Sequence, residues 1–407
     1  MNNASQAAFD YCAPPEAPRR RVAFLNTHPI QYAAPLYAFL NRSEDIAPVA
    51  LYLSDFSLRG AVDRQFGKKV VWDIDLLAGY EHRFVGTRWH DARPEGFFSL
   101  RGDGLVRAIR SGGFDALVLH GHGFMADLVA LAAARTAGVP VFYKAETHLL
   151  LPRGRLKGLF RPSLLRTLFS QVAGFLAVSQ RNAEFYRSLG ISATRIFSYP
   201  YTVDNDRFIA SANLSAEERA AQRLALGLTP DRPVIVYASK LMSRKHPEDL
   251  LEAARIVARE HPLQLLIVGT GEMEDRLRQL AAAAPEISVR FAGFKNQREL
   301  PAILGASDIF VLPSENEPFG LIVNEAMCAG LPIVASEEIG CVPDLVRAGQ
   351  NGFTFPARDV PALAAVLRPL VSDEAQRRRM GTRSRDIIAD WGYRQNLDGL
   401  RAALATV

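Results

Sequence analysis

Residues 313–336 read PSENEPFGLIVNEAMCAGLPIVAS. The stretch begins at the end of a short apolar run, DIFVLP (308–313), and closes in another, LPIVAS (331–336). The segment between them is apolar almost all round, at Leu321, Ile322, Val323, Ala326, Met327, Cys328 and Ala329. That composition predicts a buried helix. Glu317 stands before it and Glu325, eight positions later, about a turn and a half inside. A carboxylate in such a helix is costly unless it is hydrogen-bonded, and the hydroxyls of a bound ribose would serve. The free amides at Phe319, Gly320 and Leu321 would form a corner that takes anions and hydroxyls, aided by the helix dipole. On a purely structural reading, Glu317 favours the helix N-terminus and Glu325 pairs with a structural Arg. A buried helix rarely carries an idle acid, which favours the functional reading.

Working outward, the same alternation fills the chain. RVAFLN (21–26), VALYLS (49–54), FDALVLHGH (114–122), VPVFYKAE (139–146) and GFLAVS (174–179) read as strands with helical segments between them. A second series follows: RPVIVYAS (232–239), LQLLIVG (263–269), ISVRFAGF (287–294), then 308–313 and 331–336. Strands alternating with helices imply parallel sheets of βαβ units, and strands covered on both faces are apolar throughout. The polar run 203–222 reads as the linker. The expected architecture is therefore α/β: two doubly wound domains, 21–203 and 223–390, after a flexible tail at 1–20. Helical patterns recur at 359–371, 374–390 and 394–406, and 55–100 is the least readable part. In such folds ligands bind beyond the carboxyl ends of the strands, and two facing domains leave a cleft.

The second signal is SKLMSRKHPEDLLEA (239–253). Lys240, Arg244 and Lys245 follow a strand, and His246-Pro247 opens a helix whose Glu248 and Asp249 suit its dipole. Three cations there suit a diphosphate, although basic residues in such loops are often merely solvated. No GxGxxG follows the first strand, where Asn26-Thr27-His28-Pro29 makes the turn, and VGTGEMEDR (268–276) lacks the third glycine. This disfavours a dinucleotide-dependent dehydrogenase, and the lack of GxxxxGK[ST] disfavours a P-loop NTPase. Asp73-x-Asp75 and Asp204-x-Asp206 have the spacing of a metal-binding carboxylate pair but sit at no clear strand end.

The composition is that of a globular protein: 407 residues, 48% hydrophobic, 22% charged. Cys12, Cys328 and Cys341 form neither a disulfide framework nor a zinc pair, and a reducing compartment is expected. No secretory signal or membrane span is expected. The net charge of +5 divides into +7 over 1–205 and −2 over 206–407, so the first half is the mildly basic one.

SENEPFGLIVNEAMCAGLPIV, with GCVPDLVRAGQNGFTF (340–355), resembles the signature of retaining glycosyltransferases of family four, which have the GT-B architecture. Their Glu, seven residues, Glu motif falls on Glu317 and Glu325. The resemblance implies that Glu325 binds the ribose of a nucleotide-sugar donor. It implies that Glu317 and the Phe319, Gly320 and Leu321 amides hold its sugar and phosphate, and that Lys240 and Lys245 meet its diphosphate. Phe294 should lie against the base. His120-Gly121-His122 matches a His-x-His setting, with His122 at the donor sugar, so that His122, Glu317 and Lys245 are the expected catalytic set. The helix from 391 to 407 should cross back to the first domain. The sequence departs from the family where Lys240 replaces the usual Arg, where His246 replaces Gly, and where THPIQY replaces a glycine-rich turn. That last change suggests a specialised acceptor side, with His28, His120 and His148 as its candidates.

The implied activity is transfer of a sugar from a UDP- or GDP-sugar to an acceptor hydroxyl, with retention, without metal or other cofactor, in glycan or glycolipid synthesis. A nucleotide-sugar epimerase or phosphorylase of the same fold, or a non-catalytic sugar-nucleotide-binding protein, is the alternative. The expected location is cytoplasmic, and no nucleic-acid partner is expected. HLLLPRGRLKGLFRPSLLRTLFSQ (148–171) has five basic residues and no acid. It suits either an anionic membrane surface or a core-facing helix with a solvated basic face.

Overall fold

The computed structural model describes residues 18–60, 62–63, 68–86, 90, 92–151 and 165–407. Most of the tail, Cys12 and the centre of the basic 148–171 stretch lie outside the described residues.

The first domain is built on a seven-stranded sheet, and every pairing in it is parallel. Its strands are β1 (Arg20–Asn26), β2 (Ile46–Tyr52), β5 (Glu81–Phe84), β6 (Ala116–His120), β7 (Val141–Ala145), β8 (Gly174–Ala177) and β9 (Ile196–Ser198). Their spatial order is β5-β2-β1-β6-β7-β8-β9. A small antiparallel pair, β3 (Val62–Asp63) and β4 (Lys68–Lys69), stands apart from it. The second domain holds a six-stranded parallel sheet in the order β12-β11-β10-β13-β14-β15. These are β10 (Val234–Ala238), β11 (Gln264–Val268), β12 (Ser288–Gly293), β13 (Ile309–Leu312), β14 (Ile333–Ser336) and β15 (Gly352–Phe355).

Period-two alternation sends each central strand into two cores. Ala23 and Leu25 of β1 join the cluster on one face, and Val22 and Phe24 the cluster on the other. This is the two-sided burial that apolar parallel strands require.

The structure corrects several expectations. Besides the short pair β3 and β4, three strands of the main sheets were not read: β5, β9 and β15. The first is EHRF, with no apolar run, and the others have three and four residues. All three are edge strands, paired on one side only. The segment 203–222 is not a bare linker. It contains the helices Asn205–Ala212 and Ala216–Ala225, and Phe208 and Ala212 lie in the second domain's core. The chain crosses between domains at Tyr199–Val203. Residues Arg19 and Arg20 belong to the first domain rather than to a tail, since the Arg19 guanidinium donates to the carbonyls of Asn41 and Ile46.

The chain crosses back after the helix Glu374–Ala389. The Trp391 indole donates to the Tyr201 carbonyl at 2.9 Å, joining the outgoing and returning strands of the crossing. The last helix, Tyr393–Leu404, then lays Leu397, Leu400, Ala403 and Leu404 on the first domain's sheet. Its Gly399 lies so close to the strand end that a Cβ there would sit 1.7 Å from the Ser198 carbonyl oxygen.

Candidate functional site

The carboxyl ends of β10, β12 and β13 deliver the donor-side residues to one place. The turn after β13 runs from Pro313 to Leu321, with Asn316 in the left-handed region (φ 54°). Neighbouring chain holds it on two sides. The Glu315 amide donates to the Arg244 carbonyl at 2.9 Å, the Gly340 amide to the Glu317 carbonyl at 3.0 Å and the Cys341 amide to the Phe319 carbonyl at 3.0 Å. Gly340 permits this approach, for a Cβ there would lie 2.0 Å from the Pro318 oxygen. The helix is shorter than its sequence suggests, Ile322–Cys328, so Glu325 lies in its first turn and not a turn and a half inside.

Glu317 is 8% exposed and accepts hydrogen bonds from two cations: Lys245, in close contact, and Arg244 at 3.3 Å. Burial lowers the proton affinity of Lys245, while Glu317 raises it. His246 follows at φ 46°, the left-handed conformation that explains why the related family has Gly there. Here the strained His is tied to Glu315 by its Nε2 at 3.0 Å, with Asp249 3.7 Å from its Nδ1.

Glu325 is 8% exposed, and burial pushes its carboxyl up to about 7, against the opposing pull of Arg207 and of the Gln297 amide. Arg207 reaches it through Gln297, donating to the Gln297 carbonyl at 2.8 Å and side-chain oxygen at 3.1 Å. Beside this group lies a cavity of about 170 Å³ lined by Lys240, Phe294, Gln297 and Ile322 from the second domain and by Gln31 and Trp72 from the first. The Trp72 and Phe294 ring centroids are 6.4 Å apart.

Across the cleft, His122 shares a 2.6 Å hydrogen bond with the Tyr143 hydroxyl. Tyr143 is itself wedged among Phe169, Phe175 and Tyr186. His120 donates from Nδ1 to the Leu25 carbonyl at 2.9 Å, and burial lowers its pKa to about 3. The ring of His28 packs 4.3 Å from Phe56, and burial takes its pKa to about 4. His148 is not on an acceptor surface. It is 0% exposed and donates from Nε2 to the Glu317 carbonyl at 3.2 Å, so it joins the two domains under the donor loop.

The structure thus brings together Lys240, Lys245, Phe294, Glu317, Phe319, Gly320, Leu321 and Glu325. Sequence reasoning left out Arg207, Gln297 and Trp72. Arg244, read from the sequence as one of three cations suited to a diphosphate, does reach Glu317, whereas these three join the site only through tertiary folding. The two Asp-x-Asp pairs have structural work: Asp204 caps the helix at Asn205, Asp73 accepts from the Arg298 amide and Asp75 from the Leu77 amide. Among the described residues no group of three or more His, Cys, Asp or Glu is arranged to hold a metal.

The family model for glycosyl transferases group 1 matches residues 218–387, and that for the glycosyl transferase 4-like domain matches 70–202. The chain belongs to the GT-B glycosyltransferases of the family-four type. This GT-B chain is 30% identical over 238 residues to a GDP-mannose-dependent monoacylated alpha-(1-6)-phosphatidylinositol monomannoside mannosyltransferase of Corynebacterium glutamicum. That match covers 56% of the chain and 61% of the relative. It is 27% identical to a D-inositol 3-phosphate glycosyltransferase of Xylanimonas cellulosilytica, over 68% of each. Among solved structures, Anabaena HepE in complex with UDP superposes with a TM-score of 0.70 at 18% identity, covering 95% of this chain and 100% of that one. Sucrose-phosphate synthase from Thermosynechococcus elongatus superposes with a TM-score of 0.69 at 16% identity, covering 94% and 98%. At these identities the superpositions show the shared fold.

Proposed function

We propose that the protein transfers a sugar from a nucleoside diphosphate sugar to an acceptor hydroxyl, with retention of anomeric configuration, in glycan or glycolipid assembly. The observation that carries this is the convergence of Lys245 and Arg244 on Glu317 at the start of the helix that bears Glu325. A diphosphate entering beside the Phe319–Leu321 amides draws the two cations from Glu317. The freed carboxylate then accepts hydrogen bonds from the donor sugar. Glu325 accepts from the ribose, and the base enters between Phe294 and Trp72.

The bond from the anomeric carbon to the diphosphate oxygen breaks, and its electron pair stays on the diphosphate. Lys240, Arg244, Lys245 and the helix amides offset that charge. The acceptor oxygen attacks from the face the diphosphate leaves, and its proton passes to the diphosphate. This front-face course follows the family resemblance. His122, oriented by Tyr143, contacts the donor sugar.

Donor identity follows from thermal-shift measurements with UDP-, GDP- and ADP-sugars. Lys245→Ala and Glu325→Ala are expected to abolish transfer while the chain stays folded, and wild-type transfer is expected to persist in excess EDTA. Full activity in either variant, or complete loss in EDTA, overturns the site assignment or the metal-free chemistry respectively.

No described helix is long and apolar enough to cross a membrane. We place the protein in the cytoplasm, with the basic stretch 148–171 docking on an anionic membrane face. Leu149 and Leu150, at its start, are 47% and 50% exposed. Cosedimentation with vesicles containing phosphatidylglycerol, and none with pure phosphatidylcholine vesicles, is the expected result; equal binding to both, or binding to neither, sinks the docking.

A further inference from the structure

The first domain contains a cavity of about 280 Å³ that none of the donor-side roles uses. It lies beyond the carboxyl ends of β1, β6 and β7, and the ordering of its charges is unusual. Lys144 is 5% exposed. Among the described residues no oxygen lies within hydrogen-bonding distance of its ammonium, which instead stands over the rings of Tyr199, at 5.1 Å, and Tyr201, at 4.5 Å. Two residues on, Glu146 accepts a hydrogen bond from the Tyr201 hydroxyl at 2.6 Å and lines the cavity. Asp127 lines the same wall, with Oδ2 held by the Phe124 amide at 2.9 Å. Burial pushes the Lys144 ammonium down to about 8 and the Glu146 carboxyl up.

A buried ammonium with unfilled donors is expensive to maintain and marks a place where a ligand supplies acceptors. The surroundings decide which ligand. An anion arriving at Lys144 would meet two carboxylates for one ammonium, and Glu317 already acts on Glu146 across the cleft. An uncharged ring rich in hydroxyls meets the arrangement well, because each hydroxyl both accepts and donates. Lys144 then donates, and Glu146 and Asp127 accept. The edges of Tyr32 and Tyr201, with ring centroids 5.7 Å apart, give the ring an apolar wall.

We infer that this cavity is the acceptor pocket, and that it takes a neutral polyhydroxylated ring, a sugar or cyclitol without a phosphate on the part that enters. The inference rests on the transferase reading, which it deepens by assigning the acceptor class. Tyr201 connects the two halves of that chemistry. Its hydroxyl holds Glu146 in the pocket, and its ring packs edge-on at 5.3 Å against Phe319 at the start of the donor-binding helix. Glu146 and Lys144 are thus acceptor-reading residues that the sequence placed in an ordinary strand end, KAE.

The test is saturation-transfer difference NMR on the full chain. The probes are methyl α-D-glucopyranoside, methyl α-D-mannopyranoside, methyl α-D-galactopyranoside and myo-inositol, each paired with its monophosphate. At least one neutral ring is expected to give signals, with its monophosphate binding about tenfold or more weakly. Lys144→Met, which keeps the side-chain volume, and Glu146→Gln are each expected to weaken the neutral ring by about tenfold, the loss of one charge-assisted hydrogen bond. UDP and GDP are added to the same samples, and both variants are expected to bind nucleotide as the wild type does. Nucleotide binding without any neutral-ring signal, tighter binding of the monophosphates, or unchanged ring binding in both variants overturns the inference. Ring binding without nucleotide binding supports the pocket and overturns the donor reading alone.

Discussion

Glu325 shows how a single residue can favour function over stability. Burial pushes its carboxyl up to about 7 in the folded chain from an ordinary 4.5, outweighing Arg207 and Gln297. Between those values the folded chain keeps a proton that the unfolded chain has released, so the stability of the fold drops as pH rises from about 4.5 to 7. Above 7 the full cost is in place, about 3 kcal/mol. Glu325→Gln removes it. Urea melts at pH 8 are expected to show the variant more stable by that order, with the gain gone at pH 4, while nucleotide-sugar binding weakens. A variant no more stable at pH 8 than wild type refutes the buried-charge account. This residue was legible in the sequence, because an acid amid Leu321, Ile322, Val323, Ala326 and Met327 breaks the pattern of its own helix. Lys144 and Glu146 were not. At the end of a strand they look like solvated flanks, and they acquire meaning only when Tyr201 folds over them from 55 positions away.

Among the elements, the loop between β13 and its helix is shaped by what lies beneath it. Gly340 allows the Pro318 carbonyl within 2.0 Å of where a side chain would begin. Gly340→Ala pushes Glu317 and the Phe319 amide out of register. The expected results are a loss of about 1–3 kcal/mol in urea melts and a donor affinity lower by about tenfold in calorimetry. Undiminished donor affinity would show that the loop's position is set elsewhere. Central strands such as β1, β10 and β13 announce themselves by apolar runs buried on both faces. The edge strand β5 does not, since the residues of EHRF alternate between exposed and half-buried. The helices at 205–225 looked like a linker for a similar reason. Asn205–Ala212 commits little more than Phe208 and Ala212 to the core, and Ala216–Ala225 is anchored by polar contacts, the Arg219 and Arg223 ion pairs to Asp308. His246 was legible as a departure, but only the backbone shows its reason: a left-handed position, where the related family has Gly, filled by a side chain that carboxylates hold on both sides.

For the whole molecule, the uneven charge says little about where anions bind. The half with net −2 holds the basic loop Lys240–Lys245, and the half with net +7 encloses a pocket with more carboxylates than ammonium groups. What unites the halves is the closing helix Tyr393–Leu404. Its Arg401 makes a two-point ion pair with Asp45 at 2.8 Å, Asn396 donates to the Pro200 carbonyl at 2.7 Å, and three leucines are buried on the first sheet. Each such leucine is worth about 1.5–3 kcal/mol, against a total stability of about 5–15 kcal/mol for a folded domain. A chain ending at residue 392 is therefore expected to lose the cooperative thermal transition of its first domain, read by near-ultraviolet dichroism. An unaltered transition would show that the helix is dispensable.

That helix also fixes an order of events during synthesis. The ribosome releases the first domain's strands early, yet the leucines that seal one face of their sheet are made only after the whole second domain. The second domain emerges and can close on itself while the first still presents an uncovered apolar face. The protein's N-terminal half is thus finished after the second domain, and its greatest exposure to misassociation falls in the interval before residue 404 clears the exit tunnel.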